Sequence, residues 1–209
     1  MKTTINHKFI DNLEPKWNFE TLYIGTFNPQ IFDKKNVKNN SIDYFYGRPR
    51  NLFWDVMPRI HNKSTLLNAS KDEKIVFLKE NKIAITDLVT SVSFLNELKI
   101  EAEIKLLSYK DSDLNYFIPK GKNSDFVSIQ MTDLQKIFKG NEFNIKRIIL
   151  TRQYPLHEAF IRDTWRDFSH LYPGKIYALW TPSCWGLKST SIGLTREDAL
   201  YNKWKEMLQ

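Results

Sequence analysis

The apolar residues of this chain fall into two patterns. The first is a set of short, near-continuous runs: Leu22-Tyr23-Ile24-Gly25-Thr26-Phe27, Ile83-Ala84-Ile85-Thr86-Asp87-Leu88-Val89, Arg147-Ile148-Ile149-Leu150-Thr151 and Lys175-Ile176-Tyr177-Ala178-Leu179-Trp180. Runs without alternation imply strands buried on both faces, as in a parallel sheet. The second pattern lies between the runs and has helical spacing. After Asn51, the residues Phe53, Val56, Met57 and Ile60 fit one helical face, and Pro58 is expected to kink or end that helix early. Ser70-Lys71-Asp72-Glu73 reads as a capping box ahead of Ile75 to Leu78, and Thr132-Asp133-Leu134-Gln135 as another ahead of Ile137 and Phe138. Pro155 opens a long predicted helix in which Leu156, Phe160 and Phe168 share a face, with Ile161, Trp165 and Tyr172 beside it. Thr195-Arg196-Glu197-Asp198 caps the last helix, whose expected core residues are Leu200, Trp204, Met207 and Leu208.

Strands alternating with helices define an α/β fold, a three-layer α/β/α sandwich with a central, mainly parallel four-stranded sheet. The stretch from 91 to 130 has a mixed pattern with room for extra helical or hairpin structure, and Pro119-Lys120-Gly121-Lys122 reads as an exposed basic turn. With no internal repeat, low-complexity segment or Gly/Ser linker, residues 1–209 are expected to form a single domain.

Composition narrows the chemistry. A net charge of +7 favours a polyanionic partner such as nucleic acid, although a lysine-rich surface also arises without one. The single cysteine, Cys184, excludes a disulfide framework and a cluster held by four thiolates. His7, His61, His157 and His170 are widely spread, none at metal-ligand spacing from another or from Cys184, so no metal is expected. Cys184 with His157 or His170 makes a weak Cys–His candidate, since a lone free cysteine after a strand is more often inert packing. Gly121-Lys122-Asn123 lacks the rest of a phosphate loop, and no G-x-G-x-x-G follows a strand, so no cofactor is expected. No run approaches about 18 apolar residues and the N-terminal stretch has no apolar signal core, so the expectation is a cytoplasmic protein with no membrane partner.

Ligands of open α/β sheets bind beyond the carboxyl ends of the strands. Those ends here carry small and polar residues: Thr26-Phe27-Asn28-Pro29, Asp87-Leu88-Val89-Thr90, Thr151-Arg152-Gln153 and Thr181-Pro182-Ser183-Cys184. The stretch Tyr44-Phe45-Tyr46-Gly47-Arg48-Pro49-Arg50-Asn51 sets rings and arginines in front of one asparagine, directly before a core helix. Flat faces, bidentate cations and an amide suit a nucleotide, and they also suit a loop leading into a helix.

Three stretches carry a resemblance to the uracil-DNA glycosylase superfamily, nearest to its mismatch-specific and hypoxanthine-DNA glycosylase branches. Ile24-Gly25-Thr26-Phe27-Asn28-Pro29 resembles the first motif, Ile83 to Val89 the second strand, and Tyr46-Gly47-Arg48-Pro49-Arg50-Asn51-Leu52-Phe53-Trp54 the aromatic–x–Pro–x–Asn–x–Phe–Trp signature. Thr181-Pro182-Ser183 takes the place of the loop that enters the minor groove. The resemblance runs from about residue 20 to 190 on some thirty positions. It implies a monomeric, metal-free enzyme that flips a deaminated base such as hypoxanthine or uracil out of DNA and hydrolyses its N-glycosidic bond.

Residue by residue, the resemblance implies Asn51 and Asn28 as water-positioning, catalytic amides. The alternatives are a helix N-cap for Asn51 and an Asn-Pro turn for Asn28. Gly25, Thr26 and Phe27 would line the base pocket, with loop N–H groups facing the leaving base. Phe45 or Tyr46 would stack on the base, one of the two being core. Asp87 would read the base edge, or else cap a following helix. Ser183 would line the pocket, Arg48, Arg50 and Lys188 would meet phosphates, and Trp185 or Leu187 would wedge into the duplex. Two departures weigh against strong uracil activity. Thr181 stands where uracil-specific members carry histidine, and no aspartate lies between Gly25 and Pro29. A catalytically inactive nucleic-acid-binding protein of the same fold, and a hydrolase of free nucleosides, stay open as alternatives.

Overall fold

The computed structural model describes residues 2–31, 43–48, 50–107, 126–139, 141, 144–152, 159–172, 176–183 and 194–208. The strands are β1 (Lys2–Asn6), β2 (Thr21–Gly25), β3 (Ile83–Asp87), β4 (Val89–Leu95), β5 (Phe126–Met131), β6 (Arg147–Leu150) and β7 (Ile176–Ala178). The helices are α1 (Phe53–Ile60), α2 (Lys71–Glu80), α3 (Lys99–Leu107), α4 (Leu134–Lys139), α5 (Ala159–Leu171) and α6 (Arg196–Leu208).

The four runs read as strands form one parallel sheet in the order β3-β2-β6-β7. Period-two alternation splits its side chains between two cores. Leu22, Ile24, Ala84, Ile148 and Leu150 face one, with Ala102 and Leu106 of α3, Ile137 and Phe138 of α4, and Ile161, Trp165 and Phe168 of α5. Tyr23, Ile83, Ile85 and Ile149 face the other, with Phe53, Trp54, Val56 and Met57 of α1, Phe77 and Leu78 of α2, and Leu200, Trp204 and Leu208 of α6. The sheet therefore sits between helical layers, as the alternation of strands and helices implied.

The stretch expected to hold extra helical or hairpin structure contributes α3 and most of the antiparallel pair β4–β5, and β1, which was not predicted, adds to that pair to make a second sheet in the order β1-β4-β5. The run read as one strand from Ile83 to Val89 breaks at Leu88: Asp87 ends β3, and Val89 begins β4 in the other sheet. The bend is pinned where the N–H groups of Leu88 and Val89 donate to the carbonyls of Gly25 and Thr26, both at 3.0 Å. An apolar run has the same appearance whether it continues in one sheet or crosses to the next.

Pro58 lies inside α1, which ends two residues later at Ile60. Lacking an N–H, Pro58 cannot bond the carbonyl of Trp54. That carbonyl instead accepts from the Leu66 N–H at 2.7 Å, so the following loop folds back onto the helix. The capping box at Ser70 and Glu73 is present in full. The second expected box is different. Asp133 Oδ1 accepts the Lys136 N–H at 2.9 Å, while the Thr132 hydroxyl donates to the Asp87 carbonyl. Thr195 Oγ1 accepts the Asp198 N–H at 3.1 Å and caps α6. On α6 the buried stripe is Leu200, Trp204 and Leu208, and Met207, expected in the core, lies at the edge of that stripe in the last turn and is 41% exposed. Pro155, Leu156, the turn at 119–122 and the Phe160 side chain lie outside what the structure describes.

Candidate active site

The carboxyl ends of β2 and β3 lie side by side, with Gly25 and Asp87 paired in register. Asp87 is 1% exposed. Its Oδ2 accepts two hydrogen bonds, from His7 Nε2 at 2.8 Å and from Asn28 Nδ2 at 2.6 Å. His7 is fully buried, walled by the rings of Phe9, Phe27 and Phe45 at centroid distances of 5.9, 5.9 and 5.6 Å. Its Nδ1 accepts the Phe9 N–H at 2.9 Å. The proton of the neutral ring is thereby placed on Nε2, which donates to Asp87.

The loop carrying Asn28 is held from both sides. The Lys8 N–H donates to the Asn28 carbonyl at 2.7 Å, the Gln30 N–H donates to the Asn6 carbonyl at 2.8 Å, and His7 bridges Pro29. On the other side, the Thr26 carbonyl accepts from Val89. Backbone ties on both flanks fix Asn28, and its amide nitrogen is drawn to Asp87 because a carboxylate only accepts. The amide oxygen then faces away from the carboxylate.

Tyr46 lies over the same corner. It adopts the left-handed region (φ 57°) and stacks on Phe53, with centroids 4.4 Å apart and planes 12° from parallel. Thr151, just past β6, donates its hydroxyl to the Ile24 carbonyl at 3.2 Å, so the 3.0 Å contact between Tyr46 Oη and Thr151 Oγ1 is a bond donated by the tyrosine. A Cβ at Gly25 would stand 3.0 Å from the Tyr46 hydroxyl and inside van der Waals contact of Asp87 Oδ1. Glycine is required here by close approach.

Phe45 is corrected by its surroundings. It is fully buried against Tyr44, Phe9 and His7, and its carbonyl accepts the Trp54 indole N–H at 2.6 Å. A ring with no exposed face cannot stack on an incoming base, which leaves Tyr46 as the aromatic candidate. Phe27 is buried too, so only its backbone is available. Asp87 caps no helix, because β4 follows it. Asn51 is not the N-cap of α1, which is Leu52 and makes no side-chain cap bond; one residue earlier, its Oδ1 accepts the Phe53 N–H at 3.0 Å in an Asx turn that leads into the helix. The Leu52 N–H donates to the Pro182 carbonyl at 2.8 Å, which ties the Asn51 segment to the loop after β7. There the hydroxyls of Thr181 and the exposed Ser183 lie 3.0 Å apart. Thr26 is half-buried, and Arg48 and Arg50 are exposed. Trp185, Leu187, Lys188 and Cys184 lie outside the described residues.

His7 is the residue that sequence reasoning missed. It stands eighty positions from Asp87, after a strand that the pattern at the N-terminus did not reveal. The alternation Thr4-Ile5-Asn6 was the one available signal, and it is short. Among the described residues, no group of three or more His, Cys, Asp or Glu side chains could hold a metal ion, and no helix is long and apolar enough to cross a membrane.

The sheet order and the flanking helices define a class of fold, an α/β/α sandwich with its polar strand ends gathered at one edge, and a solved structure shares it. The chain is similar over 92% of its length to 92% of a "putative uracil DNA glycosylase" from Methanosarcina acetivorans, known from a solution NMR structure, with a TM-score of 0.51 and 13% sequence identity. No protein-family model and no curated protein matches the sequence.

Proposed function

We propose that the chain is a monofunctional DNA glycosylase acting on a deaminated or damaged base flipped out of DNA. The observation that carries this reading is the Asn28–Asp87 hydrogen bond at the carboxyl ends of two adjacent parallel strands, with Tyr46 and the side-chain-free Gly25 beside it. An extruded base needs an aromatic face, a group to orient water and a nearby negative charge. Tyr46 supplies the first and the Asn28 amide oxygen the second. Asp87, a buried carboxylate, favours the positive charge that develops on the sugar as the bond breaks. The electron pair of the C1′–N bond leaves with the base, which gains a proton. Water oxygen bonds to C1′ and gives up its own proton. Asn51 adds a second amide next to Phe53, the ring on which Tyr46 stacks. Arg48 and Arg50 contact phosphates, and Ser183 lies against the duplex.

This assigns Asp87 a different task from reading the base edge, since its side chain is 1% exposed and its Oδ2 already accepts two donors. The substrate class is that of the uracil-type glycosylases, hypoxanthine and uracil foremost. The turn bond of Asn51 and the absent histidine at Thr181 favour a second reading, a DNA-binding protein of this fold without catalysis. Labelled duplexes bearing one uracil, hypoxanthine or xanthine separate the two. Incubation with excess protein and then alkali is expected to cut one of them, and Asn28→Ala is expected to abolish the cut while duplex binding persists. Salt-sensitive binding with no cut at any lesion would establish the second reading instead.

A further inference from the structure

The bond between His7 and Asp87 joins two buried groups across two sheets, and the proposed chemistry does not use His7 directly. Both ring nitrogens of His7 are committed: Nδ1 accepts from the Phe9 N–H and Nε2 faces Asp87 Oδ2. A doubly protonated ring would turn a donor onto the Phe9 N–H, so the partner of Asp87 is a neutral N–H donor. Three aromatic rings keep solvent from taking its place. The carboxylate is thus held in one orientation. Through it the Asn28 amide is held too, nitrogen towards Asp87 and oxygen away.

We infer that His7 is a positioning residue: it fixes Asp87, and through Asp87 it fixes the carbonyl oxygen of Asn28 towards the reacting water. The catalytic part of this inference rests on the proposed glycosylase activity, and the orientation of Asn28 does not.

Two substitutions separate this role from a plain packing role, because each amide reproduces one imidazole nitrogen. Glutamine reaches as far as Nε2, so His7→Gln keeps a donor for Asp87 and gives up the acceptor for Phe9. Asparagine reaches as far as Nδ1, so His7→Asn keeps the acceptor for Phe9 and gives up the donor for Asp87. Two quantities are read for each: hydrogen exchange at the Asn28 side-chain amide by NMR, and single-turnover base release from the lesion duplex on which the parent protein acts. His7→Gln is expected to keep slow amide exchange and near-parental release. His7→Asn is expected to speed the exchange at least about tenfold and to slow release roughly a hundredfold, with duplex affinity unchanged. The reverse order, or two variants that both match the parent, would overturn the inference and leave His7 as a tether for the Phe9 turn.

If neither variant folds, the ring nitrogens of His7 in the parent protein decide. A long-range proton–nitrogen spectrum with a bare Nδ1 and a protonated Nε2 supports the inference, and a proton on Nδ1 overturns it. A parent protein that releases no base from any duplex refutes the glycosylase reading, while the Asn28 amide exchange still tests the positioning.

Discussion

Gly25 and Asp87 face each other in register across the parallel pair β2–β3, and the carboxylate of Asp87 occupies the space where a Cβ of residue 25 would stand. Gly25→Ala must therefore move either Asp87, with its bonds to His7 and Asn28, or the Tyr46 hydroxyl. Overpacking of this kind costs about 1–3 kcal/mol. The expected result is a lower urea midpoint and a larger proportional loss of base release, because the displaced groups are those that orient Asn28. Unchanged activity in a destabilised Gly25→Ala protein would show that the Asp87 position is not critical.

The Asn51 amide has two separable tasks. Its Oδ1 accepts the Phe53 N–H at the start of α1. Asn51→Ala is expected to lower stability by about 1 kcal/mol, the usual net worth of one hydrogen bond. Asn51→Asp keeps the acceptor and should keep the stability. If the amide nitrogen also serves catalysis, Asn51→Asp loses base release although its denaturation curve matches the parent. Equal release by Asn51→Asp and the parent would reduce Asn51 to a turn-forming residue.

Arg48 and Arg50 are exposed beside the buried rings of Tyr44 and Phe45. A phosphate contact by either makes binding salt-dependent through counterion release. Replacing one such arginine by alanine is expected to weaken duplex binding uniformly across sequences and to reduce the slope of log K against log salt by about 1. Titrations at several salt concentrations test this, and an unchanged slope would remove that arginine from the interface.

His61 gives the fold a pH dependence of its own. Burial, with a smaller contribution from the Arg147 guanidinium, holds its imidazole below the ordinary value of 6.5. Its ring packs edge-on to Phe77 at 5.8 Å. A base with a depressed folded pKa binds fewer protons in the folded chain than in the unfolded one. The associated stability is present above 6.5 and is lost as pH falls from there through the lowered folded value. Urea midpoints at about pH 7.5 and about pH 5 should therefore differ less in His61→Gln than in the parent. An equal difference in both proteins would place the dependence elsewhere.

How much of this was legible in the sequence depended on the range of the interactions. The parallel sheet was, because strands buried on both faces leave continuous apolar runs, and the order of strands and helices admits few arrangements. The caps at Ser70 and Thr195 and the early end of the Pro58 helix were legible as well, since each is written within a few residues. Asn28, Asp87 and Tyr46 could be singled out by residue type and by their places at strand ends and in the motif-bearing loop.

What they do to one another could not be read in this way. The break at Leu88 depends on the carbonyls of Gly25 and Thr26, some sixty positions away. Thr132 left its expected capping role for the Asp87 carbonyl. Phe45 and Tyr46 are adjacent in sequence, yet one is sealed in the core and the other, at positive φ, turns its hydroxyl to Thr151. Above all, His7 joins Asp87 only because β1 pairs antiparallel with β4, which brings the residue after Asn6 to the end of β3. Local sequence determined which elements form and which side chains have the right chemistry. Pairing between distant strands decided which of those side chains meet, because a contact across eighty residues leaves no periodicity in either segment.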